Sequence, residues 1–215
     1  MKIGQNIDSY KRFYIDLNFD RSGLFETVKR KYSCQNALYP GCSIHITPSF
    51  YFQHVVYIDI SEIAQDFFKN IEEVKEFIND NKTYKQSTFI QFLNRDYTKE
   101  LPIRENSYDL LIALYAGEIT QSCKKYVKPG GIILTNNHQN DAVEVLKDTS
   151  LFLDALIYKK GKKYVLEEKP EKNFEDILRK YNRQAKNMKK TDRGLEYVDK
   201  QCYFVLKKLG KPSCS

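Results

Sequence analysis

Apolar residues in this chain fall into short unbroken runs, separated by stretches with a helical period. "HVVYIDI", residues 54–60, is continuous, rich in β-branched and aromatic side chains, and reaches an acid at Asp59. Such a run reads as a strand buried on both faces, as in a parallel sheet. Ser61 is placed to cap the helix that follows, in which Ile63, Ala64, Phe67, Phe68, Ile71, Val74, Phe77 and Ile78 form an apolar stripe. Upstream, "DRSGLFETVKRKY" sets Leu24, Phe25, Val28 and Tyr32 on one helical face, and "NALY" predicts a short strand stopped by Pro40 and Gly41. Residues 1–20 show no clear period and are expected to form an N-terminal arm that packs its aromatics on the body.

The pattern continues with "STFIQFLNRDY", a strand ending near Asp96, and "YDLLIALYAGEI", a strand ending near Leu114. "ITQSCKKYV" predicts a short helix, "KPGG" a tight turn, and "IILTNNH" a further buried strand with abruptly polar residues at its end. A helix is expected over Asp141–Lys147. Two strands flank the Gly161 turn, a helix in "EKNFEDILRKYNRQ" carries Phe174, Ile177, Leu178 and Tyr181, and "QCYFVLKKL" is a last strand. Strands alternating with helices, then a hairpin-like pair, predict a doubly wound, Rossmann-like α/β fold in three layers. Its sheet is mostly parallel, with an antiparallel C-terminal element. The domain is expected to span 21–210, leaving 211–215 as a loose tail.

Composition changes this picture little. A hydrophobic share of 41% and an aromatic share of 13% favour a folded globule over disorder. The cysteines, at 34, 42, 123, 202 and 214, form no C-x-x-C pair, and the spacing of Cys34, Cys42, His45 and His54 matches no usual zinc pattern, so no metal is expected. A reducing, cytoplasmic compartment is expected. The opening "MKIGQNIDSYKRFYIDLNF" is too polar for a signal peptide, and no apolar run approaches the roughly 18 residues of a membrane span. Charge matters more. The net charge is +7, thickening in "RKYNRQAKNMKKTDR", and such a surface attracts polyanions. Nucleic acid or another polyanion therefore stands as a partner class beside a small-molecule substrate.

In an open α/β sheet, ligands bind beyond the carboxyl ends of the strands. The predicted strand ends are Tyr39–Gly41, Asp59, Asp96, Leu114–Gly117 and Asn136–His138. Asp59 suits a ribose diol, since a carboxylate accepts two hydrogen bonds, and Ile60 suits one wall of an adenine slot. Its alternative role is to cap backbone. Gly41 permits a positive φ or a close approach. The loop "YPGCSIHITPSF" lacks G-x-G-x-x-G, and Ser43, His45 and Thr47 fill it with side chains that a pyrophosphate cradle would not welcome. A compact cofactor fits more easily. Asp96 could hold an adenine amino group while Tyr97 stacks. Tyr115 offers a ring and a hydroxyl, and Ala116 and Gly117 leave room above the sheet. Asn136 and Asn137 supply amides for a substrate, or cap turns. His138 and His45 are the candidate bases. Neither a G-x-S-x-G elbow nor a Walker motif is present.

Taken together, "ALYPGCSIHITPSF…VVYIDIS", "NRDYTKELPIRENSYDLLIALYAG" and "CKKYVKPGGIILTNN" resemble the class I S-adenosylmethionine-dependent methyltransferases. More narrowly, they resemble a bacterial group of unassigned substrate with "YPG…H…PS" in the first loop. The resemblance implies cofactor contacts at Tyr39, Pro40, Gly41 and Ser43, ribose recognition by Asp59, and adenine contacts at Ile60, Asp96 and Tyr97. It implies methionine-moiety or substrate contacts at Leu114, Tyr115, Ala116 and Gly117. The first motif departs from D-x-G-x-G-x-G, with Tyr39 near the acid's place and Gly41 alone of the glycines. Two functions follow: a methyltransferase using S-adenosylmethionine, or a methyltransferase-fold protein that binds a nucleoside or a protein or nucleic-acid partner without turnover.

Overall fold

The computed structural model describes residues 5–143, 148–161, 163–168, 170, 175–177, 187–191, 194–198 and 202–210. Eight strands form the main sheet: β1 Asn36–Pro40, β2 His54–Ile58, β3 Phe89–Leu93, β4 Tyr108–Ala113, β5 Val127–Thr135, β6 Leu151–Lys160, β7 Lys163–Glu168 and β10 Cys202–Lys208. Their order is β3-β2-β1-β4-β5-β10-β6-β7. The first five are parallel, β10 runs antiparallel to both β5 and β6, and β6 and β7 form a hairpin. The chain works outward from β1 to β3, then returns to place β4 on the other side of β1. The carboxyl ends of β1 and β4 therefore flank the switch point of the sheet. β8 Asn187–Thr191 and β9 Gly194–Val198 form a separate two-stranded ribbon that the sequence pattern did not reveal.

Side-chain alternation sorts the strands into two cores. Ala37, Tyr39, Val55, Tyr57, Leu110 and Ile112 face α1 Gln5–Tyr10, α2 Ser22–Tyr32, α3 Glu62–Phe68 and α4 Ile71–Asn81. Leu38, Val56, Ile58, Leu111 and Ala113 face α5 Ile119–Cys123, the turn Lys124–Tyr126 and Leu101 from the β3–β4 connection. Burial on both faces explains the unbroken apolar runs. The described part of the N-terminal segment lays aromatics against the sheet. Tyr10 is fully buried, with its hydroxyl 2.8 Å from Thr47 Oγ1, and Tyr14 stacks on His45.

Four local expectations need correction. The stripe read as one helix after Ser61 is two, parted at Lys69 and Asn70; Ile63 lies on the outer side, 65% exposed. The third strand stops at Leu93, short of Asp96. "KPGG" lies inside β5, where Gly130 takes φ +79° and the register with β4 shifts. Asp141–Val143 form a turn, and the remainder of the helix expected there lies outside the described residues. In the helix expected around Phe174–Tyr181, residues 175–177 are helical with Ile177 buried; Phe174, Leu178 and Tyr181 lie outside the described residues. Among the described residues no helix is long and apolar enough to cross a membrane.

Candidate functional site

The first loop leaves β1 through Pro40, which pairs with Ile58, and turns at Gly41 with φ +64°. The Gly41 and Cys42 amides donate to the Ile58 carbonyl at 2.8 and 3.4 Å. Instead of a long helix, the β1–β2 connection contains a 3-10 turn, Thr47–Phe50, with Pro48 in its first turn. That turn is buried and pinned by Ser49 Oγ at 2.6 Å from the Tyr57 hydroxyl. Gly41 is required twice over. Its backbone is left-handed, and a Cβ there would lie 2.9 Å from Ala116 Cβ and 3.7 Å from Tyr97 Cε1. The glycine thus lets the first loop meet the end of β4.

Asp59 follows β2 and is half-buried. Its Oδ2 accepts the Ser43 amide and its Oδ1 the Ser61 amide, both at 2.8 Å. The carboxylate therefore ties the first loop to the start of α3, which Ser61 Oγ caps through the Ala64 amide. Each oxygen keeps a further lone pair, so the carboxylate can cap the two amides and still accept from a ligand. Among the described residues no basic side chain forms an ion pair with Asp59. Beside it Ile60 is 62% exposed, an apolar side chain left in solvent at the carboxyl end of β2.

The other strand ends converge differently. Asp96 is half-buried and caps its own turn, accepting the Thr98 amide at 2.9 Å and the Thr98 hydroxyl at 2.7 Å; these bonds hold its carboxyl below the usual range. Tyr97 crosses toward β4 instead, its hydroxyl donating to the Gly117 carbonyl at 3.0 Å. Leu114 is buried in the core, and Tyr115 takes φ +62° while its amide donates to Asn136 Oδ1 at 3.2 Å. Gly117 is covered by the side chain of Gln139. Asn137 is buried, and its Oδ1 accepts the Ala142 amide at 3.0 Å. His138 is half-buried, its ring centroid 6.2 Å from that of Tyr115.

Sequence reasoning missed Asp141. It is buried, and it accepts the Thr120 amide at 2.8 Å, the Thr120 hydroxyl, and the Thr135 hydroxyl at 3.2 Å. Burial raises its pKa against the pull of those bonds. It locks the β5 exit onto α5, and only its place in the polar run after "IILT" hinted at a role.

His45 lies below this surface, 1% exposed. Nδ1 accepts from the Tyr39 hydroxyl at 3.0 Å and Nε2 donates to the Asp20 carbonyl at 2.9 Å. This pairing fixes a neutral tautomer. Burial, with the Arg21 charge beside it, lowers the His45 pKa to about 3. Both ring nitrogens are committed to partners within the protein. Arg21 was also missed. It sits at the entry to α2 with its guanidinium against both Phe19 and Tyr115, in the corner these edge-to-face rings make.

No family model matches the sequence, and a search of curated proteins finds no match. Solved structures do match. An S-adenosylmethionine-dependent methyltransferase from Thermotoga maritima superposes with a TM-score of 0.52 at 8% identity, over 95% of this chain and 96% of that one. The chain has the class I methyltransferase fold. The N-methyltransferase NodS from Bradyrhizobium japonicum agrees over 91% of this chain and 97% of its own, with a TM-score of 0.50 and 11% identity. The [4+2]-cyclase SpnF is as similar, with a TM-score of 0.51 and 11% identity over 90% of this chain and 82% of its own. A methyltransferase fold therefore carries more than one reaction, and activity has to be argued from the site.

Proposed function

We propose that the protein is an S-adenosylmethionine-dependent methyltransferase acting on a small molecule. The observation that supports this most is the pairing of half-buried Asp59 with exposed Ile60 at the carboxyl end of β2, in a sheet of this order. In this reading Asp59 accepts the ribose hydroxyls and Ile60 walls the adenine. The Gly41–Ser43 turn and the Leu114–Gly117 segment border the methionine moiety. Asp96, turned into its own cap, contributes through the position of Tyr97. The cofactor supplies an activated methyl group. The chain's part is alignment of the acceptor over the ends of β4 and β5, with Asn136 and Asn137 fixing that wall and His138 accepting a proton if the nucleophile must lose one.

Calorimetry with S-adenosylmethionine and S-adenosylhomocysteine tests it. Binding to the wild type, weakened at least tenfold in Asp59→Ala, is the expected result, with circular dichroism confirming that the variant folds. Absence of heat with both compounds at high protein concentration refutes the enzyme reading.

A second reading is favoured by one contact. Ala116 packs on Gly41, and Tyr97 is bonded across it to Gly117, so the methionine moiety has to displace the Tyr115–Gly117 segment. A nucleoside binder without turnover needs no such movement. It would take adenosine as tightly as S-adenosylhomocysteine, whereas the enzyme favours the latter.

A further inference from the structure

Arg21 is an unusual arginine. Its backbone is left-handed, φ +57°, and its side chain is 4% exposed. Cζ lies 3.4 Å from the ring centroid of Phe19 and 4.1 Å from that of Tyr115. Nε donates to the Tyr203 hydroxyl at 3.2 Å and Nη1 to the Phe19 carbonyl at 3.2 Å. Nη2 is buried and has no hydrogen-bond partner. The nearest acid in sequence, Asp20, accepts the Ser22 hydroxyl, and among the described residues no carboxylate forms an ion pair with Arg21.

A guanidinium stays charged in a protein. Two aromatic faces offset part of the loss of hydration, and neutral hydroxyls offset a little more. Neither supplies the counter-charge that a buried cation requires. As a packing element Arg21 is worse than a methionine of similar reach. As a recognition element it is well built, because the corner of the two rings seats the fork and Nη2 keeps unused donors. The ligand chemistry that completes such a fork is a planar carboxylate, which takes two parallel N–H bonds.

The position favours one source of that carboxylate. The groups in contact with Arg21 come from the arm, from Tyr115 after β4 and from Tyr203 on β10, while Tyr39 at the end of β1 and His45 in the first loop lie close enough to feel its charge. Tyr203 pairs with Ile157 of β6, far across the sheet from Asp59 after β2. The net charge of +7 also draws anionic ligands.

We propose that Arg21 receives a carboxylate of the acceptor substrate, held between the N-terminal arm and the carboxyl edge of the sheet at β4 and β10. The word acceptor rests on the methyltransferase reading; the carboxylate does not. Entry requires Phe19 to lift from the guanidinium, since Nη2 has no path to solvent in the closed arrangement.

Thermal unfolding of the full chain with benzoate as probe and benzamide as control provides the test, on the wild type, Arg21→Met and Arg21→Lys. Benzoate should raise the wild-type midpoint in a dose-dependent manner, benzamide should not, and both variants should need at least tenfold more benzoate. Without ligand Arg21→Met should unfold at or above the wild-type temperature, because it removes an unpaired buried charge. An unresponsive wild type, or an Arg21→Met protein that responds as the wild type does, overturns the proposal. So does a large fall in the midpoint of ligand-free Arg21→Met, which would make the arginine purely structural. The affinity ratio of S-adenosylhomocysteine to 5′-methylthioadenosine, which lacks the amino-acid carboxylate, should be the same in wild type and Arg21→Met. A tenfold drop confined to S-adenosylhomocysteine assigns Arg21 to the methyl donor and overturns the acceptor assignment. Binding of benzoate but of neither nucleoside refutes the methyltransferase reading and leaves the carboxylate site standing.

Discussion

Acidification should unfold this protein partly through one imidazole. His45 is buried neutral between Tyr39 and Asp20, with its pKa lowered from 6.5 to about 3. The unfolded chain binds the proton below about pH 6.5, and the folded chain does not bind it until near pH 3. Stability from this site is therefore complete above pH 6.5 and is lost steadily as pH falls toward the folded pKa. Each pH unit in that window costs about 1.4 kcal/mol, so near pH 4.5 the loss is about 3 kcal/mol. Against a total of roughly 5–15 kcal/mol, that is a large fraction. Urea unfolding followed by circular dichroism, near pH 7 and near pH 4.5, measures it in wild type and in His45→Gln. The variant should be weaker at neutral pH, since it disturbs the Tyr39 and Asp20 bonds. Its drop between the two pH values should be about 3 kcal/mol smaller than the wild-type drop. Equal drops would mean that His45 titrates normally in the folded protein and that the buried neutral pairing is wrong.

Gly41→Ala should cost about 2–5 kcal/mol, from a left-handed alanine and its crowding of Ala116, and Gly41→Ala with Ala116→Gly should recover the crowding part in a double-mutant cycle. Asp141→Ala should lower stability by about 1–3 kcal/mol in urea titration, because it strands the buried Thr120 and Thr135 donors. Burial raises the Cys34 and Cys123 thiols to about 12 and encloses Cys42 and Cys202, so a Cys214→Ser variant should not react with a disulfide reagent near pH 8 until urea unfolds it. If the basic surface binds a polyanion, affinity for single-stranded RNA should fall steeply between about 50 and 200 mM salt; a flat response rules out phosphate neutralisation as its basis.

What could be read in advance followed from how the side chains are buried. Strands covered on both faces leave continuous apolar runs, so β2, β4 and β5 were legible, and the acid after β2 stood out because it ends such a run. The end of β3 was not, since β3 is an edge strand in which Phe89 and Gln91 are exposed and the apolar signal fades. The break between α3 and α4 was hidden because Ile63, exposed on the outer face, imitates the stripe. The site residues that needed distant partners were invisible. Arg21 is a surface residue by type, and only Phe19, Tyr115 and Tyr203 make it an interior one. His45 looked like a base because its loop faces the right edge; its commitment to Tyr39 and Asp20 is a tertiary fact.

The placement of β10 bears on how the chain is made. This strand, Cys202–Lys208, lies between β5 and β6, whereas β5 is finished at Thr135. During vectorial synthesis β5 and β6 emerge well before the strand that joins them. Each then presents an open hydrogen-bonding edge backed by apolar side chains, the condition in which nascent chains pair wrongly or recruit chaperones. The parallel half, by contrast, can assemble from neighbours already synthesised. The cellular yield of this protein should thus depend on protection of the β5 and β6 edges until one late segment arrives.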